Sequence, residues 1–219
     1  MMKIQWNGFT KLKFKGYIGI IVLLILILIN VLYGEEKTQN MSILIVKIGN
    51  IENDVVEKLK NDLKKIFNQP VEIGKQLPEP HYAYNKIRNQ YLSTAILNNL
   101  TKNKDFDAYE RVLGIVDHDL YVPGLNFVFG EATTKGAVIS LRRLRQEFYN
   151  LQENRNLFMR RVLTEAVHEL GHTYGLPHCN NSKCVMYFSN SILDTDRKGT
   201  EFCTRCRLRI EEIRSLNKY

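Results

Sequence analysis

Cysteine is absent from the first 178 residues of this 219-residue chain, and all four cysteines lie between Cys179 and Cys206. No cysteine is left to cross-link the rest of the chain, which excludes a disulfide framework that spans the whole molecule. An internal repeat is absent as well.

Charge of one sign is not in large excess. The formal net charge is +8, and the residues after 40 hold 26 basic and 21 acidic side chains, a net charge of +5. Many solvated surfaces have such a mildly basic balance, so the charge permits nucleic-acid binding without requiring it. A hydrophobic content of 44% fits a globular core rather than disorder, and the length suits one domain with an appendage.

The chain is organised around residues 168–179, which are His-Glu-Leu-Gly-His-Thr-Tyr-Gly-Leu-Pro-His-Cys. On a helix, His168 and His172 lie four residues apart, so both imidazoles project from one face and can bind one metal ion. Glu169 lies beside that face, where its carboxylate can accept a proton from a metal-activated water. A glycine three residues after the second histidine ends the helix, and the returning chain brings His178 to the metal. Three neutral imidazoles with one open position indicate a catalytic zinc site.

The helix that carries this motif is amphipathic. On a helical projection, Arg161 and Glu165 share the sector of Glu169 and His172. Apolar side chains occupy the opposite side: Met159, Val162, Leu163, Ala166, Val167 and Leu170. The helix therefore presents its ligands to a cleft and its apolar stripe to a core.

The extended pattern HExxHxxGxxH is similar to that of the metzincin zinc peptidases, in which a methionine turn lies beneath the active site. Here a cysteine follows the third histidine, and Cys184-Val185-Met186 and Cys203-Thr204-Arg205-Cys206 come later. This combination resembles the archaemetzincins, peptidase family M54, which pair the catalytic zinc with a second zinc held by four cysteines. The resemblance covers nearly all of the chain from Met41 onward and includes residues 88–91 and 119–132.

The resemblance implies two zinc ions per chain, one catalytic and one structural. The catalytic zinc would be bound by His168, His172 and His178, with Glu169 as the general base and Met186 in the turn beneath them. The structural zinc would be bound by four thiolates, those of Cys179, Cys184, Cys203 and Cys206. Two disulfides are the alternative for the same cysteines, but the C-x2-C spacing and the adjoining histidine favour zinc.

The first 40 residues form an apolar N-terminal segment, distinct from the metzincin-like peptidase domain expected over residues 41–219. Four lysines precede an apolar run at residues 17–33, and two glutamates follow it. If translated, the run is a short membrane-spanning helix with the catalytic domain outside, because bulky residues before Gly34 disfavour signal cleavage. The alternative is an untranslated leader, since Met41 directly precedes a strand, and the protein would then be cytoplasmic.

The hydrophobic pattern predicts an α/β fold, a sheet with helices packed on it. The resemblance implies that this is a metzincin-like mixed sheet, with an active-site helix and a C-terminal zinc-knuckle region. Strands are predicted over residues 42–48, 71–73, 111–116, 125–129 and 136–141. Helices are predicted over residues 52–68, 84–99 and 205–217, in addition to the helix that carries the histidines.

The sequence also supports predictions for two shorter segments, residues 125–130 and 117–119. Residues 125–130 have strand composition, and in the metzincins an edge strand above the cleft pairs with the substrate backbone. The pattern leaves open whether this strand is that edge or an inner neighbour. Asp117-His118-Asp119 is predicted to be a polar loop rather than another metal site, because consecutive side chains point in different directions.

Hydrolysis of a peptide bond by a zinc-activated water, with Glu169 as the general base, is the predicted reaction. The expected partner is a peptide or protein substrate, with a membrane as a further partner if residues 17–33 form an anchor. Nucleic acid is not expected, and the chain is expected to be a monomer. The alternative function is a non-catalytic zinc module that binds nucleic acid or a protein, supported by Arg205, Arg207, Arg209 and Arg214 beside the cysteines. That alternative gives Glu169 and the three-histidine site no role.

Overall fold

Eight strands and five helices are described by the computed structural model, which covers residues 40–216. The strands are β1 (Asn40–Lys47), β2 (Val71–Ile73), β3 (Tyr84–Asn85), β4 (Gln90–Leu92), β5 (Tyr109–Val116), β6 (Leu120–Tyr121), β7 (Gly130–Ala132) and β8 (Gly136–Ser140). The helices are α1 (Asn53–Phe67), α2 (Ser93–Thr101), α3 (Arg155–Thr173), α4 (Ile192–Arg197) and α5 (Thr204–Leu216). None of the helices in this part of the chain has the length and apolar character that a membrane span requires. The predictions for the apolar run at 17–33 lie outside the described residues.

The central sheet has five strands in the order β2-β1-β5-β8-β7. β1 pairs in parallel with both β2 and β5, and β5 pairs in parallel with β8. β7 runs antiparallel to β8 and forms one edge of the sheet. The mixed α/β architecture predicted from the sequence is therefore confirmed.

Helices cover both faces of this sheet. Alternate residues of a strand point to opposite faces, and β1 places Ile43 and Ile45 in one hydrophobic core and Leu44 and Val46 in the other. The first core is completed by α1 and α3, and the second by α2. The apolar stripe predicted for the histidine helix faces the first core, which leaves the opposite side of α3 for the site.

A three-stranded sheet replaces the first half of the helix predicted over residues 84–99. β3 pairs antiparallel with β4, with Tyr84 opposite Tyr91, and β4 pairs in parallel with β6. The helix begins only at Ser93. The prediction was therefore wrong for residues 84–92 and right for the second half.

The turn between β3 and β4 explains this difference. The Asn85 side chain accepts hydrogen bonds from the backbone N–H groups of Ile87 at 3.0 Å and Arg88 at 3.2 Å. Such local bonds compete with helix formation, and Asn89 adopts a left-handed conformation with φ of 52°. Ile87, which a helix over residues 84–99 would place on the same buried stripe as Tyr91, is 98% exposed.

The prediction of a strand over residues 125–129 is also wrong. The edge strand is β7, which starts at Gly130. The carbonyl groups of Leu125 and Asn126 accept hydrogen bonds from the Arg88 guanidinium at 2.9 and 3.0 Å. The Gln90 amide donates to the Asn126 carbonyl as well, at 2.9 Å. These carbonyl groups therefore accept hydrogen bonds from side chains instead of from the backbone of a neighbouring strand.

Residues 117–119 form a loop, as predicted. The three side chains have separate protein partners: Arg145 for Asp117 at 2.9 Å, Glu79 for His118 at 2.6 Å, and Arg143 for Asp119 at 2.5 and 2.7 Å.

The C-terminal helix α5 lies where the sequence predicts it and packs against the end of α1. The guanidinium groups of Arg207 and Arg214 donate to the carbonyls of Ile66 at 3.0 Å and Phe67 at 2.8 Å. The last carbonyls of a helix have no partner within the helix, so these two arginines cap α1 and hold α5 against it.

Candidate metal centres

Helix α3 positions the first two histidines and the glutamate. The Asn154 side chain accepts a hydrogen bond from the Leu157 N–H at 3.0 Å and caps the start of the helix. His168 and Glu169 are 5% and 7% exposed, and His172 is half-buried one turn later. The helix thus presents two imidazoles and a carboxylate at the same place.

The chain reverses direction immediately after α3. Gly175 has a φ of +74°, a left-handed conformation that ends the helix as predicted. This reversal brings His178 back beside the two helical histidines. The ring centroids are 4.7 Å apart for His168 and His172, 4.9 Å for His172 and His178, and 5.4 Å for His168 and His178.

The three histidines form a set that a metal ion fits. One nitrogen of each ring lies within 4.8 Å of the others, and the two helical Nε2 atoms are 3.2 Å apart. His168 Nδ1 lies 2.7 Å from the Val185 carbonyl, and His172 Nδ1 lies 2.7 Å from the Leu176 carbonyl. Carbonyls can only accept, so each Nδ1 carries the proton and each Nε2 keeps a lone pair for a metal.

The protonation of these rings also suits metal binding. Burial lowers the pKa of His168 well below its usual value, and the nearby Lys198 and His172 lower it further. Burial is also the main reason why the pKa values of His172 and His178 are lowered. Neutral imidazole is the form that binds a metal ion.

The four cysteines form a second candidate metal centre. All four are free thiols, and their Sγ atoms lie within 4.8 Å of one another. Burial favours the neutral thiol of Cys179, but hydrogen bonds from the Asn181 backbone and the Arg205 guanidinium outweigh burial and lower its pKa. A closed set of four thiolates is typical of a structural zinc site.

Met186 lies beneath the histidines and connects the two centres. It is fully buried, and its carbonyl accepts a hydrogen bond from the Cys179 N–H at 2.8 Å. A Cβ added to Gly171 would collide with Met186 Sδ and would lie 3.0 Å from Phe202. The glycine inside the HELGH motif is therefore needed for the methionine to pack against α3.

A cleft of about 420 Å³ opens over the histidines. One wall is the segment 125–130, which was expected to be a strand, and the other includes residues 188–190. Glu165, Glu169 and Lys198 line the cleft together with the three histidines. The candidate metal-binding atoms and the candidate base therefore share one cavity of a size that can hold a ligand.

The carboxyl group of Glu169 is in an unusual environment. Burial raises its pKa to about 8, and the nearby carboxylates of Glu165 and Glu131 add to the rise while Lys198 opposes it. The pKa is raised because the ionised carboxylate is poorly solvated at this place, and strongly shifted carboxyl groups in a cleft are typical of functional sites.

Comparison with known proteins agrees with this geometry. The family model described as "Peptidase family M54" matches residues 29–212. The chain is 42% identical over 174 residues to the archaemetzincin of Methanocaldococcus jannaschii, a match that covers 78% of this chain and 94% of the relative. The chain belongs to peptidase family M54.

Solved structures of relatives have the same fold. The archaemetzincin crystal structure from Methanopyrus kandleri superimposes with a TM-score of 0.71 at 37% identity, covering 81% of this chain and 97% of that chain. A zinc-dependent peptidase from Methanocorpusculum labreanum superimposes with a TM-score of 0.69 at 27% identity, covering 77% and 99%. As a member of family M54, the chain is a zinc metallopeptidase that acts on peptides or proteins.

Two charged residues of this M54 site were not assigned a role from the sequence. Lys198 is completely buried, lies 3.2 Å from Glu165 Oε1 and lines the cleft. The helical projection placed Glu165 on the ligand side of α3, which is a usable signal. Lys198 lies in a loop that follows α4, thirty residues after His168, and no spacing rule connects the two. Arg161, which the helical projection placed on the same side of α3, instead forms an ion pair with Asp196 at 2.7 Å.

Proposed function

We propose that this M54 peptidase cleaves peptide bonds at the three-histidine centre, with His168, His172 and His178 as zinc ligands and Glu169 as the general base. The observation that carries the proposal is the convergence of three imidazoles beside a buried carboxylate in one cleft. Two of the imidazoles have Nδ1 bound to carbonyls, so the orientation of those rings is set by the protein.

The chemistry would be divided between the metal and the protein. A zinc ion at this centre would supply Lewis-acid polarisation of the substrate carbonyl and activation of a water molecule. Glu169 would accept the proton of the attacking water and deliver it to the departing amine. Its burial keeps the carboxylate poorly solvated and close to the reacting groups.

The substrate backbone would lie along β7, the edge of the central sheet. A peptide can add to an exposed edge as a further strand, with backbone hydrogen bonds for affinity and side-chain pockets for specificity. β7 begins at Gly130, which also lines the cleft. The sequence left open whether residues 125–130 form this edge, and the edge strand is here proposed to start at the end of that segment.

A second zinc ion, held by Cys179, Cys184, Cys203 and Cys206, is proposed to be structural. Cys179 directly follows the ligand His178, so fixing the cysteine also fixes the third histidine. Four thiolates leave no open position at the metal, and this centre should take no part in the reaction.

The alternative, a non-catalytic zinc module that binds nucleic acid or a protein partner, loses part of its support. Of the four arginines near the cysteines, Arg205 donates to Cys179 Sγ at 3.5 Å, Arg207 and Arg214 cap α1, and Arg209 is exposed. Arginines held in intramolecular contacts are poorly placed to bind phosphates. The expectations of a monomer and of either a membrane or a cytoplasmic location stay predictions.

Replacing Glu169 with Gln tests the proposed mechanism. The amide keeps the shape of the side chain but cannot accept the proton, so kcat should fall by roughly 10²–10⁴ on a mixed peptide library. Zinc content, measured by atomic absorption, should equal that of the parent. A Gln variant that cleaves as fast as the parent would show that Glu169 is not the base. Activity of the parent that survives complete removal of metal by chelator would contradict the metal centre itself.

A further inference from the structure

One wall of the cleft has little backbone hydrogen bonding of its own. Residues 125–128, the wall segment, line the cleft, and Leu125 is 55% exposed. The Leu125 N–H donates to the Val122 carbonyl at 3.2 Å, and the Val128 N–H donates to the Leu120 carbonyl at 2.9 Å. Between these two bonds, the wall segment makes no backbone–backbone hydrogen bond with any other residue that the structure describes. Its position must therefore be fixed by something other than a strand ladder.

Two side chains of the hairpin formed by β3 and β4 supply the missing bonds. The Arg88 guanidinium donates to the carbonyls of Leu125 at 2.9 Å and Asn126 at 3.0 Å. The Gln90 amide donates to the same Asn126 carbonyl at 2.9 Å. Hydrogen bonds from a charged donor are among the stronger ones in proteins. The small sheet therefore holds the middle of the wall segment through Arg88 and Gln90.

Arg88 and Gln90 are themselves fixed by further contacts. Arg88 Nε donates to Gln90 Oε1 at 2.9 Å, and the guanidinium lies 4.3 Å from the centre of the Tyr121 ring. Gln90 Nε2 also donates to Asp119 Oδ2 at 3.1 Å, and that carboxylate forms an ion pair with Arg143. The Gln90 amide thus has a partner for its oxygen and for both of its N–H groups. A polar network with every member satisfied is rigid, so both side chains are set before any peptide arrives.

The same network orients an aromatic side chain of the wall segment. The Arg143 guanidinium lies 4.1 Å from the centre of the Phe127 ring, and this ring packs edge-to-face on Phe129 at 5.2 Å. Both phenylalanines line the cleft. The backbone and an aromatic ring of the wall are therefore held by one connected set of side chains.

We propose that Arg88 and Gln90 are positioning residues for the substrate, which act through the wall segment and not on the three-histidine centre. The proposal deepens the proposed function and rests on it for the identity of the cleft. Neither side chain is among those that line the cleft, and both bind carbonyls of the wall. A wall that is already ordered spares the bound peptide the entropy cost of ordering it.

The proposal predicts which kinetic constant depends on Arg88. The wall segment would contact the peptide in the ground state and in the transition state alike, so loss of its order should change KM rather than kcat. Arg88→Met keeps a long side chain but removes every donor to the wall, and KM should rise about tenfold while kcat stays within about twofold of the parent. Arg142→Met is the matched control, because Arg142 is exposed and does not line the cleft, and its KM should be parental. A parental KM for Arg88→Met, or a loss confined to kcat, would overturn the proposal.

The second positioning residue is tested by a double-mutant cycle. Arg88 and Gln90 bond to each other and to one carbonyl of the wall, so their contributions should be coupled. Gln90→Met alone should raise KM, and the double variant should raise KM by clearly less than the product of the two single effects. A KM that equals the product would show that the two residues act independently, against the proposed network.

A binding measurement tests the same role without cleavage. A peptide hydroxamate binds zinc with its chelating end and places a peptide chain in the cleft. Two are used, one with the hydroxamate at the N-terminus and one with it at the C-terminus, to cover both directions along the wall. In isothermal titration calorimetry on the zinc-loaded proteins, Arg88→Met should raise the Kd of at least one of them about tenfold. The Kd of acetohydroxamate, which has no peptide chain, should not change.

The outcomes separate this proposal from the proposed function. If the parent cleaves no peptide, the proposed function is wrong, and the calorimetry still decides the role of Arg88. An unchanged Kd for both peptide hydroxamates would overturn the proposal, and so would an equal rise for acetohydroxamate, because the metal centre would then be affected. If Arg88→Met does not fold, Arg88→Lys replaces it, since lysine keeps the charge without the planar fork and should raise the same Kd about threefold.

Discussion

Glu169 is positioned in part by a residue that has no side chain. A Cβ at Gly130 would lie 2.6 Å from Glu169 Cγ and 2.8 Å from the Val138 carbonyl oxygen. Both distances are too short for real contacts, so either the glutamate or the pairing of β7 with β8 would have to change. Gly130 therefore allows the edge strand to approach α3 as closely as it does.

We expect Gly130→Ala to impair catalysis more than stability. Crowding a well-packed position typically costs about 1–3 kcal/mol of unfolding free energy. Displacing a catalytic group by about 1 Å can lower the rate by roughly 10²-fold. Steady-state kinetics and thermal unfolding measure the two effects separately. Ala132→Gly is the control, because it alters the same strand without adding an atom near Glu169. An alanine variant with parental kcat would show that Glu169 does not depend on this contact.

The residues of the site differ in how far the sequence alone could assign them. His168, His172 and His178 follow a spacing rule, because a helix places residues four apart on one face and a glycine turn returns the chain. Lys198 follows no such rule. Its position depends on how the loop after α4 folds over α3, and tertiary packing of that kind leaves no periodic trace in the sequence.

At the scale of elements, the sequence predicted the central sheet well and the smaller sheet badly. β1, β5 and β8 contain apolar runs buried on both faces, a pattern typical of the inner strands of a parallel sheet. β3 and β4 have two and three residues, and their pairing depends on β6, about thirty residues further along the chain. The sequence near residues 84–92 gives no information about β6, so the apolar residues around Tyr91 were interpreted as part of a helix.

The segment from His178 to Cys206 contributes ligands to both candidate metal centres, which predicts unequal effects of removing one ligand. Cys203→Ser should loosen the segment, because structural zinc in small peptides contributes on the order of 10–16 kcal/mol of apparent binding free energy. His172→Ala should abolish activity and largely spare the fold, because α3 is anchored by its apolar stripe.

Metal analysis and limited proteolysis check this prediction. The parent should hold two zinc ions per chain, the His172 variant should lose one, and only the Cys203 variant should become sensitive to protease within residues 179–206. Mass spectrometry that finds two disulfides in the native parent would rule out the second centre. Equal protease sensitivity of both variants would show that the two centres are not distinct in role.

At the scale of the whole molecule, three separate connections hold the C-terminal region against the sheet. Arg207 and Arg214 cap α1, Ile210 of α5 is buried in the core shared with α1 and α3, and Cys206 belongs to the thiol cluster. The third histidine and the methionine lie between these attachments and α3. The candidate site is therefore supported from both sides, by the central sheet against which α3 packs and by the C-terminal helix α5.

The last prediction is that residues 41–219 suffice for zinc binding and peptidase activity. Every candidate ligand and the candidate base lie after Met41, and β1 places Ile43, Leu44, Ile45 and Val46 at the centre of the sheet with exposures of 0–1%. The apolar run at 17–33 has no polar face in the sequence, so it would favour lipid over packing on a protein surface. A protein that starts at Met41 should be soluble, bind two zinc ions and match the kcat/KM of the full chain. The full chain, if residues 1–40 are translated, should sediment with membranes in cell fractionation, whereas the shorter protein should not. A shorter protein that is insoluble or free of zinc would show that the first 40 residues belong to the fold, and the anchor prediction would then be wrong.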